Sequence, residues 1–562
     1  MRTRRVVLAL AAALLGALPA AASAAAPDPA NAYEWTEEYI PTADPTVELH
    51  ADVLKPANLA PGEKTPVIMV VSPYLNHAGM TIADPYDPTR ADGPQTYYTE
   101  LNEIGRPWAK GYTVVLVDLR GFGGSSGCND FGGKGEQADV KTAVEWAAGE
   151  DWSTGKVGLF GKSYDGWTVV MGMAERPEGL AAAAPLAPII DGYRALYMNG
   201  VHYGPGWWAT PVVYQAQDAM PGTIHDDENY WAHIALGTNP ACHVSQIALQ
   251  NGLWDKDDPL GFWAERDLVD RAKTSSVPTF WEHGFLDINA KPDNFLPVME
   301  GQQGVVRGWF GQWPHDRPNK DLIGRDGYYH ELMRFFDRHL KDETVADDPN
   351  VRVQDNLGRW RTEQVWPPAD AAPFSLAVRP GTFTDAPNNT AEAGGLYGEP
   401  GTGTWTVTQP MPYQVHLSGV PEVTIDATVT GPRTNMVALL YDIAPDGAAT
   451  LITRGAYALE QTGPVTFDLF PQDWRVRKDH RIGLLVAGAD SSLWIPVHSM
   501  LDAAVEGGSV TLPALARLRT YESTSIGKPS KAMANRAEPF IVPAETIAAA
   551  EQQTALPAQQ QP

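Results

Sequence analysis

The sequence of 562 residues has little cysteine and a deficit of basic charge. It contains only Cys128 and Cys242, which excludes a domain held together by many disulfides, and the pair lacks the C-x-x-C spacing of a zinc ribbon or a thioredoxin-like site. Lys and Arg number 42 against 68 Asp and Glu, which gives a formal net charge of -26. Because an acidic surface repels phosphate groups, the composition predicts no nucleic-acid partner and no stable association with an anionic membrane.

Long apolar runs are confined to the N terminus. Residues 1–24 combine a basic start, an apolar stretch over 6–18 and the small-residue pattern Ala22-Ser23-Ala24, which together predict a signal peptide cleaved after Ala24. The pair Arg4-Arg5 is a candidate twin-arginine export signal, but the flanking residues match that signal poorly. No later apolar run reaches the roughly 18 residues of a membrane span. The sequence therefore predicts a secreted protein, extracellular or periplasmic.

The first half of the chain alternates between two kinds of periodicity. Short β-branched or aromatic apolar runs, typical of buried strands, occupy residues 66–71, 112–119, 156–160, 276–285 and 304–310. Residues 136–148 instead show helical spacing of apolar positions. Strand, helix and strand in this order predict right-handed crossovers in a parallel sheet, and hence an α/β fold.

The segment 161–166 (GKSYDG) contains the pattern G-x-S-x-G between a predicted strand and a predicted helix over 167–175. This setting is typical of the nucleophile elbow of an α/β-hydrolase, where glycines allow a sharp turn that presents the serine hydroxyl above the sheet. The alternative is a glycine-rich turn that merely packs a helix on the sheet. Ser163 is the candidate nucleophile.

A nucleophilic serine needs a base and an acid that orients the base. On this fold they follow the serine in the order Asp, His. His315 lies in a loop directly after a predicted strand, whereas His330 and His339 fall within a predicted helix. Asp287 ends the preceding strand, and Asp293 is its competitor one loop further on. The order and placement favour Asp287 and His315.

The oxyanion of an acyl-transfer intermediate needs two hydrogen-bond donors. The backbone N–H of Tyr164, next to the nucleophile, is one candidate. Tyr74 follows the predicted strand 66–71 and offers a hydroxyl as the second. Its spacing is equally compatible with a purely structural tyrosine.

Several motifs together resemble the X-prolyl dipeptidyl aminopeptidase family, which includes cocaine-esterase-like hydrolases and α-amino-acid ester hydrolases. The segments that carry the resemblance are 72–74 (SPY), 118–128 (DLRGFGGSSGC), 151–166 (DWSTGKVGLFGKSYDG), 283–289 (HGFLDIN) and 311–315 (GQWPH). Segments 417–421, 440–443 and 478–482 resemble the family's C-terminal jelly roll. The resemblance implies Ser163 as nucleophile, Asp287 as acid, His315 as base and the Tyr74 hydroxyl with the Tyr164 amide as oxyanion hole. It implies no metal and no cofactor.

The chain is therefore expected to hold an α/β-hydrolase core with an inserted helical cap, followed by an all-β, jelly-roll-like sandwich. Alternating segments separated by Gly, Pro and Asp after residue 348 support the sandwich. The predicted units are a signal peptide (1–24), the two parts of the core (33–188 and 256–345), the cap (189–255), the sandwich (346–543) and a disordered tail (544–562).

The expected activity is hydrolysis of a small peptide or ester. The motifs GKSYDG and HGFLDIN are similar to the peptidase branch of the family, which favours release of X-Pro dipeptides from peptide N termini. The motif GQWPH is similar to the esterase branch, so an esterase or amide acylase is the alternative. An inactive hydrolase whose sandwich binds polymers is a rival of a different class.

An exopeptidase that recognises a free N terminus needs carboxylates to meet the ammonium group. The acidic candidates in the predicted cap are Asp191, Asp226, Asp227 and Glu228. A solvated acidic loop is the alternative for the last three. Trp167, on the helix after the nucleophile, is a further candidate for substrate binding.

Export would place both cysteines in an oxidising compartment, where thiols often pair. Cys128 follows the glycine-rich turn after the strand 112–119, and Cys242 lies in the predicted cap above the same side of the sheet. A bond between them is predicted to join cap and core near the active site. Two unpaired, buried cysteines are the alternative.

Overall fold

The computed structural model of the chain describes most residues after the predicted signal peptide. The described residues are 31–78, 98, 100–204, 214, 217–218, 220–237, 242, 256–257, 261–318, 323, 325–385, 403–490, 493–497, 499–522, 533 and 540–556. The predicted signal peptide, much of the predicted cap and residues 557–562 lie outside them. Among the described residues, no helix combines the length and apolar character needed to cross a bilayer.

A mainly parallel sheet forms the first domain. The first twelve strands are β1 (Tyr33–Pro41), β2 (Glu48–Pro56), β3 (Thr65–Ser72), β4 (Thr113–Asp118), β5 (Ser153–Lys162), β6 (Leu180–Leu186), β7 (Tyr197–Met198), β8 (Val201–His202), β9 (Thr279–Gly284), β10 (Val306–Gly311), β11 (Val351–Gln354) and β12 (Trp360–Glu363). All but the small hairpin β7–β8 form one sheet in the order β1-β2-β4-β3-β5-β6-β9-β10-β11-β12. The neighbours from β4 through β11 are parallel, while β1, β2 and β12 pair antiparallel at the two edges.

Helices cover both faces of this sheet. The described α-helices are α1 (Lys134–Gly149), α2 (Tyr164–Glu175), α3 (Gly192–Leu196), α4 (Glu228–Gly237), α5 (Val269–Ala272), α6 (Leu296–Met299), α7 (Tyr328–Leu340) and α8 (Ala544–Ala550). Strand β3 shows the period of two: Val67, Met69 and Val71 pack in the core beneath α1 and α2, whereas Ile68 and Val70 pack in the core beneath α7. A π-helical turn (Leu101–Gly105) and a 3₁₀ turn (Ala264–Arg266) complete the helical elements described.

The second domain is an all-β sandwich, as predicted. Its strands are β13 (Ala371–Ala377), β14 (Gly381–Thr384), β15 (Thr404–Thr408), β16 (Val415–Gly419), β17 (Glu422–Val429), β18 (Thr434–Ile443), β19 (Ala448–Leu459), β20 (Gly463–Asp468), β21 (Gln472–Val476), β22 (Arg481–Ala487), β23 (Asp502–Leu515), β24 (Phe540–Ile541) and β25 (Glu551–Gln552). One sheet has the order β20-β17-β23-β16-β21, with β13 and β14 also paired to β23, and the other has the order β24-β19-β18-β22-β15-β25. Alternating residues such as Val423, Ile425 and Ala427 fill the core between them.

Two predicted boundaries are wrong. The sandwich was expected from residue 346, yet β11 and β12 extend the first sheet, because β11 pairs in parallel with β10 and buries Val351 and Val353 in the core of the first domain. The tail from residue 544 was expected to be disordered, yet it begins with α8 and β25. The alanine-rich run favours a helix, and β25 pairs with β15.

The predicted helical cap is only partly helical where the structure describes it. Its described elements are α3, the hairpin β7–β8 and α4. Cys242 forms a disulfide with Cys128, with 5.2 Å between the two Cα atoms. The bond joins the predicted cap to the glycine-rich loop after β4, and this pairing is the one considered from the sequence.

Candidate active site

Ser163 occupies a sharp turn between β5 and α2. Its backbone has φ 65° and ψ -121°, a conformation that residues with a side chain rarely adopt. The turn is held by a hydrogen bond of 3.0 Å from the Ser163 N–H to the Leu186 carbonyl of β6. Such strain at a strand-to-helix turn is typical of a nucleophile elbow.

The glycines that flank Ser163 are required by close packing within the turn. A Cβ atom on Gly161 would lie 2.5 Å from the Asp165 side chain, and one on Gly166 would lie 2.8 Å from the Leu186 carbonyl oxygen. Both distances are shorter than real Cβ contacts allow. The G-x-S-x-G spacing therefore lets α2 start immediately after β5, with Ser163 at the carboxyl edge of the sheet.

Asp287 and His315 form a hydrogen-bonded pair at the same edge. The Nδ1 atom of His315 lies 2.7 Å from Oδ2 of Asp287, whose side chain is fully buried. The other carboxylate oxygen accepts the N–H groups of Asn289 at 2.7 Å and Ala290 at 3.0 Å. Nearby, the ring of His283 contacts the Ala290 carbonyl at 2.9 Å through Nε2, which holds this turn in place. The carboxylate is thus oriented by two amides and faces one imidazole nitrogen.

The order of the strands brings these residues to one edge. Ser163 follows β5, the Asp287 turn follows β9 and the His315 loop follows β10, and these strands run parallel within the order β5-β6-β9-β10. The competing residues lie elsewhere: His330 is exposed on α7, and Asp293 lies 3.7 Å from the amine of Lys291. His339, also on α7, is half-buried. The structure therefore pairs His315 with Asp287.

The two predicted oxyanion donors are Tyr164, directly after Ser163, and Tyr74, after the strand next to β5. Tyr164 is the first residue of α2, and the first N–H groups of a helix have no partner within the helix. Tyr74 lies two residues after β3, the strand next to β5, and its hydroxyl lies 2.8 Å from the hydroxyl of Tyr214. The Tyr214 contact was not anticipated, because the two residues are 140 positions apart.

A buried carboxylate beneath the serine turn was also missed. Glu136, at the start of α1, accepts the Tyr164 hydroxyl at 2.6 Å and the N–H groups of Asp130, Phe131 and Gly132. Burial raises the pKa of Glu136 to about 8. Its hydrogen bonds fix the Tyr164 ring and the loop before α1. The only signal for it in the sequence is an acidic residue in the first turn of a predicted helix.

The sandwich supports the loop that carries His315. The side-chain amide of Gln312 donates to Oε1 of Gln472 at 3.1 Å and to the carbonyl of Asp473 at 2.9 Å. The Asp473 carboxylate receives two bonds from the buried guanidinium of Arg361, at 2.7 and 2.6 Å. Although burial opposes ionisation, Arg361 holds the pKa of Asp473 far below its usual range. The second domain therefore helps to position His315.

Three of the predicted substrate-binding residues make contacts within the protein. Asp226 is buried and bonds to the ring of His77 at 2.6 Å. Asp227 accepts the Tyr39 hydroxyl at 2.7 Å and the Tyr230 N–H at 2.8 Å, the latter within the first turn of α4. Trp167 is fully buried against Phe131. Glu228, the first residue of α4, is exposed.

Asp191 is the acidic candidate that lines a cavity. It caps α3 by accepting the Tyr193 N–H at 2.8 Å, and burial, together with Asp267, raises its pKa to about 6. The cavity has a volume of about 660 Å³ and lies between the first domain and the sandwich. Its acidic lining residues are Asp191, Asp293, Glu300, Glu422 and Asp468. Among the described lining residues, Arg194 is the one basic side chain.

Comparisons with known proteins agree with this architecture. Residues 44–317 match the family X-Pro dipeptidyl-peptidase (S15 family), and residues 343–525 match the X-Pro dipeptidyl-peptidase C-terminal non-catalytic domain. The chain is 26% identical to a Streptomyces avermitilis protein named "Putative Xaa-Pro dipeptidyl-peptidase", over 88% of this chain and 86% of that protein. It is 28% identical to the cocaine esterase of a Rhodococcus species, over 53% of this chain and 57% of that enzyme.

A solved structure shows the same fold. The aminopeptidase from a marine sediment Thaumarchaeota archaeon superposes with a TM-score of 0.64 at 16% identity, covering 89% of this chain and 99% of that one. The two matched family segments include both domains, from just before β2 to just after β23. The chain accordingly belongs to the X-Pro dipeptidyl-peptidase and cocaine-esterase-like family of serine hydrolases.

Proposed function

We propose that the protein releases X-Pro dipeptides from the N termini of peptides, using Ser163 as the nucleophile. The observation that carries the proposal is the contact of 2.7 Å between His315 Nδ1 and Asp287, at the sheet edge where the strained turn presents Ser163. An imidazole whose Nδ1 is held by a carboxylate keeps its other nitrogen available as a base.

The reaction proceeds in two halves. The Ser163 hydroxyl attacks the carbonyl carbon of the scissile bond while His315 accepts its proton, and the tetrahedral oxyanion receives hydrogen bonds from the Tyr164 N–H and the Tyr74 hydroxyl. The oxyanion collapses, His315 protonates the leaving amine, and an acyl-enzyme remains. Water, deprotonated by His315, then attacks the ester and restores the serine hydroxyl. Asp287 orients the imidazole of His315 and stabilises the imidazolium throughout.

The family supports a substrate with proline at the second position and a free amino terminus. An ammonium group requires a carboxylate partner within the enzyme. Asp191 is the acidic candidate with the most support, because it combines burial with a place on the wall of the acidic cavity. Its role rests on the proposed peptidase activity.

An esterase or amide acylase of the cocaine-esterase type is the second candidate. It is favoured by the motif Gly311-Gln312-Trp313-Pro314-His315 and by the Rhodococcus cocaine esterase among the relatives. The same Ser163, Asp287 and His315 would perform the chemistry, and only the pocket that receives the acyl group would differ.

One set of substrates separates the candidates. Purified protein is given an X-Pro chromogenic amide, the same amide with an acetylated amino terminus, and a short-chain aryl ester. Cleavage of the free-amine amide alone supports the peptidase, cleavage of the ester alone supports the esterase, and cleavage of none supports a binding protein. Ser163→Ala is the matched control: it is expected to lose roughly a millionfold in kcat with an unchanged melting temperature. Activity within about tenfold of wild type would reject Ser163 as the nucleophile.

We also propose that the protein is exported. The predicted signal peptide and the Cys128–Cys242 disulfide support an oxidising compartment. N-terminal mass spectrometry of protein from the culture medium or periplasm tests this, with a start at Ala25 expected. Recovery in the cytoplasm of protein that begins at Met1 would contradict it.

A further inference from the structure

Four side chains with metal-binding atoms converge on the antiparallel edge of the first sheet, away from Ser163. We call them the histidine–carboxylate cluster: Glu37, His50, Asp52 and His77. One ligand atom from each lies within 4.8 Å of the ligand atoms of all the others. Two imidazoles with two carboxylates are a donor set that suits divalent transition metals.

The strand pairing explains why these residues meet. Glu37 of β1 lies opposite Asp52 of β2 in the antiparallel register, and Tyr39 lies opposite His50. Because side chains alternate between the faces of a strand, His50 and Asp52 share one face, and Glu37 lies on that face too. His77 reaches the same point from the segment that follows β3, where it lies three residues after Tyr74.

Both histidines are oriented by a second layer of carboxylates. The Nδ1 atom of His50 lies 3.0 Å from Asp118, the last residue of β4, and the Nδ1 atom of His77 lies 2.6 Å from Asp226. The Nε2 atom of His50 faces Glu37 at 3.4 Å and that of His77 faces Asp52 at 3.1 Å, while the Nδ1 atom of His77 also lies 4.0 Å from Glu37. Histidines that bind metals usually have their other ring nitrogen held in this way, because the contact fixes the ring and increases its basicity.

The inward-facing atoms are incompletely satisfied by the protein. His50 is fully buried, and its Nε2 atom has no hydrogen-bond partner among the described residues. The same holds for Oε1 of Glu37, which lies 3.4 Å from that nitrogen. The two atoms face each other at ion-pair distance, so either a proton on His50 or a bound cation would satisfy them.

The distances fit a small tetrahedral ion once the more widely spaced ligands move together by up to about 1.5 Å. Nitrogen and oxygen ligands at about 2.0–2.1 Å from Zn²⁺ lie about 3.3 Å apart in a tetrahedron. His77 Nε2 is 3.1 Å from Asp52 Oδ2, and His50 Nε2 is 4.0 Å from Asp52 Oδ1. The second oxygen of Asp52 also accepts the Trp35 indole N–H at 2.7 Å, which orients the carboxylate.

We propose that the histidine–carboxylate cluster is a structural binding site for Zn²⁺. The two imidazoles argue against Ca²⁺ and Mg²⁺, which prefer oxygen ligands. The ion would tie the segment after β3 to β1 and β2, and Asp226 would link the predicted cap to the same point. Four protein ligands complete a tetrahedral shell, which is typical of a structural rather than a catalytic zinc site.

The rival is a metal-free network in which protons take the place of the ion. Burial lowers the pKa of His50, but Asp52, Asp118 and Glu37 outweigh that effect and raise it to about 9. In this rival the same residues form only ion pairs, and added zinc competes poorly for them.

The test measures zinc bound to the full mature chain after removal of any affinity tag. Plasma mass spectrometry is expected to find about one zinc per chain. After dialysis against a chelator, zinc is expected to raise Tm by about 5 °C, whereas Ca²⁺ and Mg²⁺ at equal concentration leave it unchanged. Cobalt substitution is expected to give the visible absorption of a four-coordinate ion.

Two variants and one control assign the ion to the cluster. Glu37→Gln removes one ligand charge, and Asp226→Asn weakens the support of His77; each is expected to reduce zinc affinity by about 10- to 100-fold or more. Glu38→Gln, a change at the exposed neighbouring position on β1, is expected to leave affinity unchanged. Folded wild-type protein that takes up no zinc, or zinc binding that is the same in all three variants, would overturn the proposal. The wild-type titration decides the question even where a variant fails to fold.

Discussion

Tyr74→Phe provides a sharp test of the proposed oxyanion hole, because it removes one hydroxyl and leaves the ring in place. In the free enzyme that hydroxyl makes a hydrogen bond of 2.8 Å to Tyr214. A neutral hydrogen bond contributes about 1 kcal/mol to folding, so the variant should stay folded with a slightly lower Tm. In the transition state the same hydroxyl would face a developing negative charge, where one donor is worth about 2.7–4 kcal/mol.

The expected result is a loss of roughly 100- to 1,000-fold in kcat with KM little changed. The assay is steady-state turnover of whichever chromogenic substrate the wild-type enzyme cleaves, with a thermal melt of each protein alongside. Tyr214→Phe is the matched control, since it breaks the same hydrogen bond and leaves the Tyr74 hydroxyl in place. The kcat of Tyr214→Phe should fall by no more than about fivefold, which corresponds to the free energy of one neutral hydrogen bond.

Two outcomes would refute this reasoning. If Tyr74→Phe keeps kcat within about fivefold of wild type, the hydroxyl does not reach the oxyanion. If Tyr214→Phe loses as much kcat as Tyr74→Phe, the pair of hydroxyls acts by positioning, and donation to the oxyanion is not the function of Tyr74.

Three further changes address stability. Replacing both Cys128 and Cys242 by serine opens a loop of 114 residue steps. The free energy of unfolding, measured by urea denaturation, should fall by up to about 4.8 kcal/mol. An unchanged urea midpoint would contradict a stabilising role of the disulfide. Asp473→Asn leaves the buried Arg361 without its bidentate partner and should cost about 3–5 kcal/mol in the same assay, and a loss below 1 kcal/mol would argue against it. Burial raises the pKa of Asp165 to about 7, so the folded protein keeps a proton that the unfolded chain releases, and stability should fall by roughly 3 kcal/mol as pH rises from 4 to 7. Asp165→Asn should remove that component, and parallel pH profiles for the two proteins would contradict the assignment.

The sequence placed Ser163, Asp287 and His315 after parallel strands because each follows a strand with a strong apolar signal, and the structure shows the contact between Asp287 and His315. Parallel strands end at a common edge, so residues far apart in the chain meet there. Strand β6 gave no such signal, since its run LAAAAPL is rich in alanine and contains proline. Strands β11 and β12 are short and follow a helix, so their pattern alone could not assign them to the first sheet.

Contacts between loops that are distant in the chain could not be predicted from sequence patterns. The acidic run at residues 226–228 predicts either a substrate-binding site or a solvated loop, yet the side chain of Asp226 is buried against His77, which lies 149 positions earlier. Charge alone does not reveal which side of a loop a carboxylate faces. The histidine–carboxylate cluster was missed for the same reason: the spacing of His50 and Asp52 on β2 is visible in the sequence, but Glu37 and His77 join them only through the sheet.

The segment that carries Tyr74, the second predicted oxyanion donor, is held in place by contacts outside the serine turn. Tyr74 and His77 share the segment after β3, so any restraint on His77 also limits the movement of Tyr74. His77 bonds to Asp226, just before α4, while the disulfide of Cys242 fixes the predicted cap to the loop after β4. A donor must already be aimed at the oxyanion before the reaction if it is to stabilise the transition state without a cost of reorganisation. Breaking either the contact between His77 and Asp226 or the Cys128–Cys242 disulfide should therefore reduce kcat more than it raises KM. Neither contact is made by a residue proposed to touch the substrate.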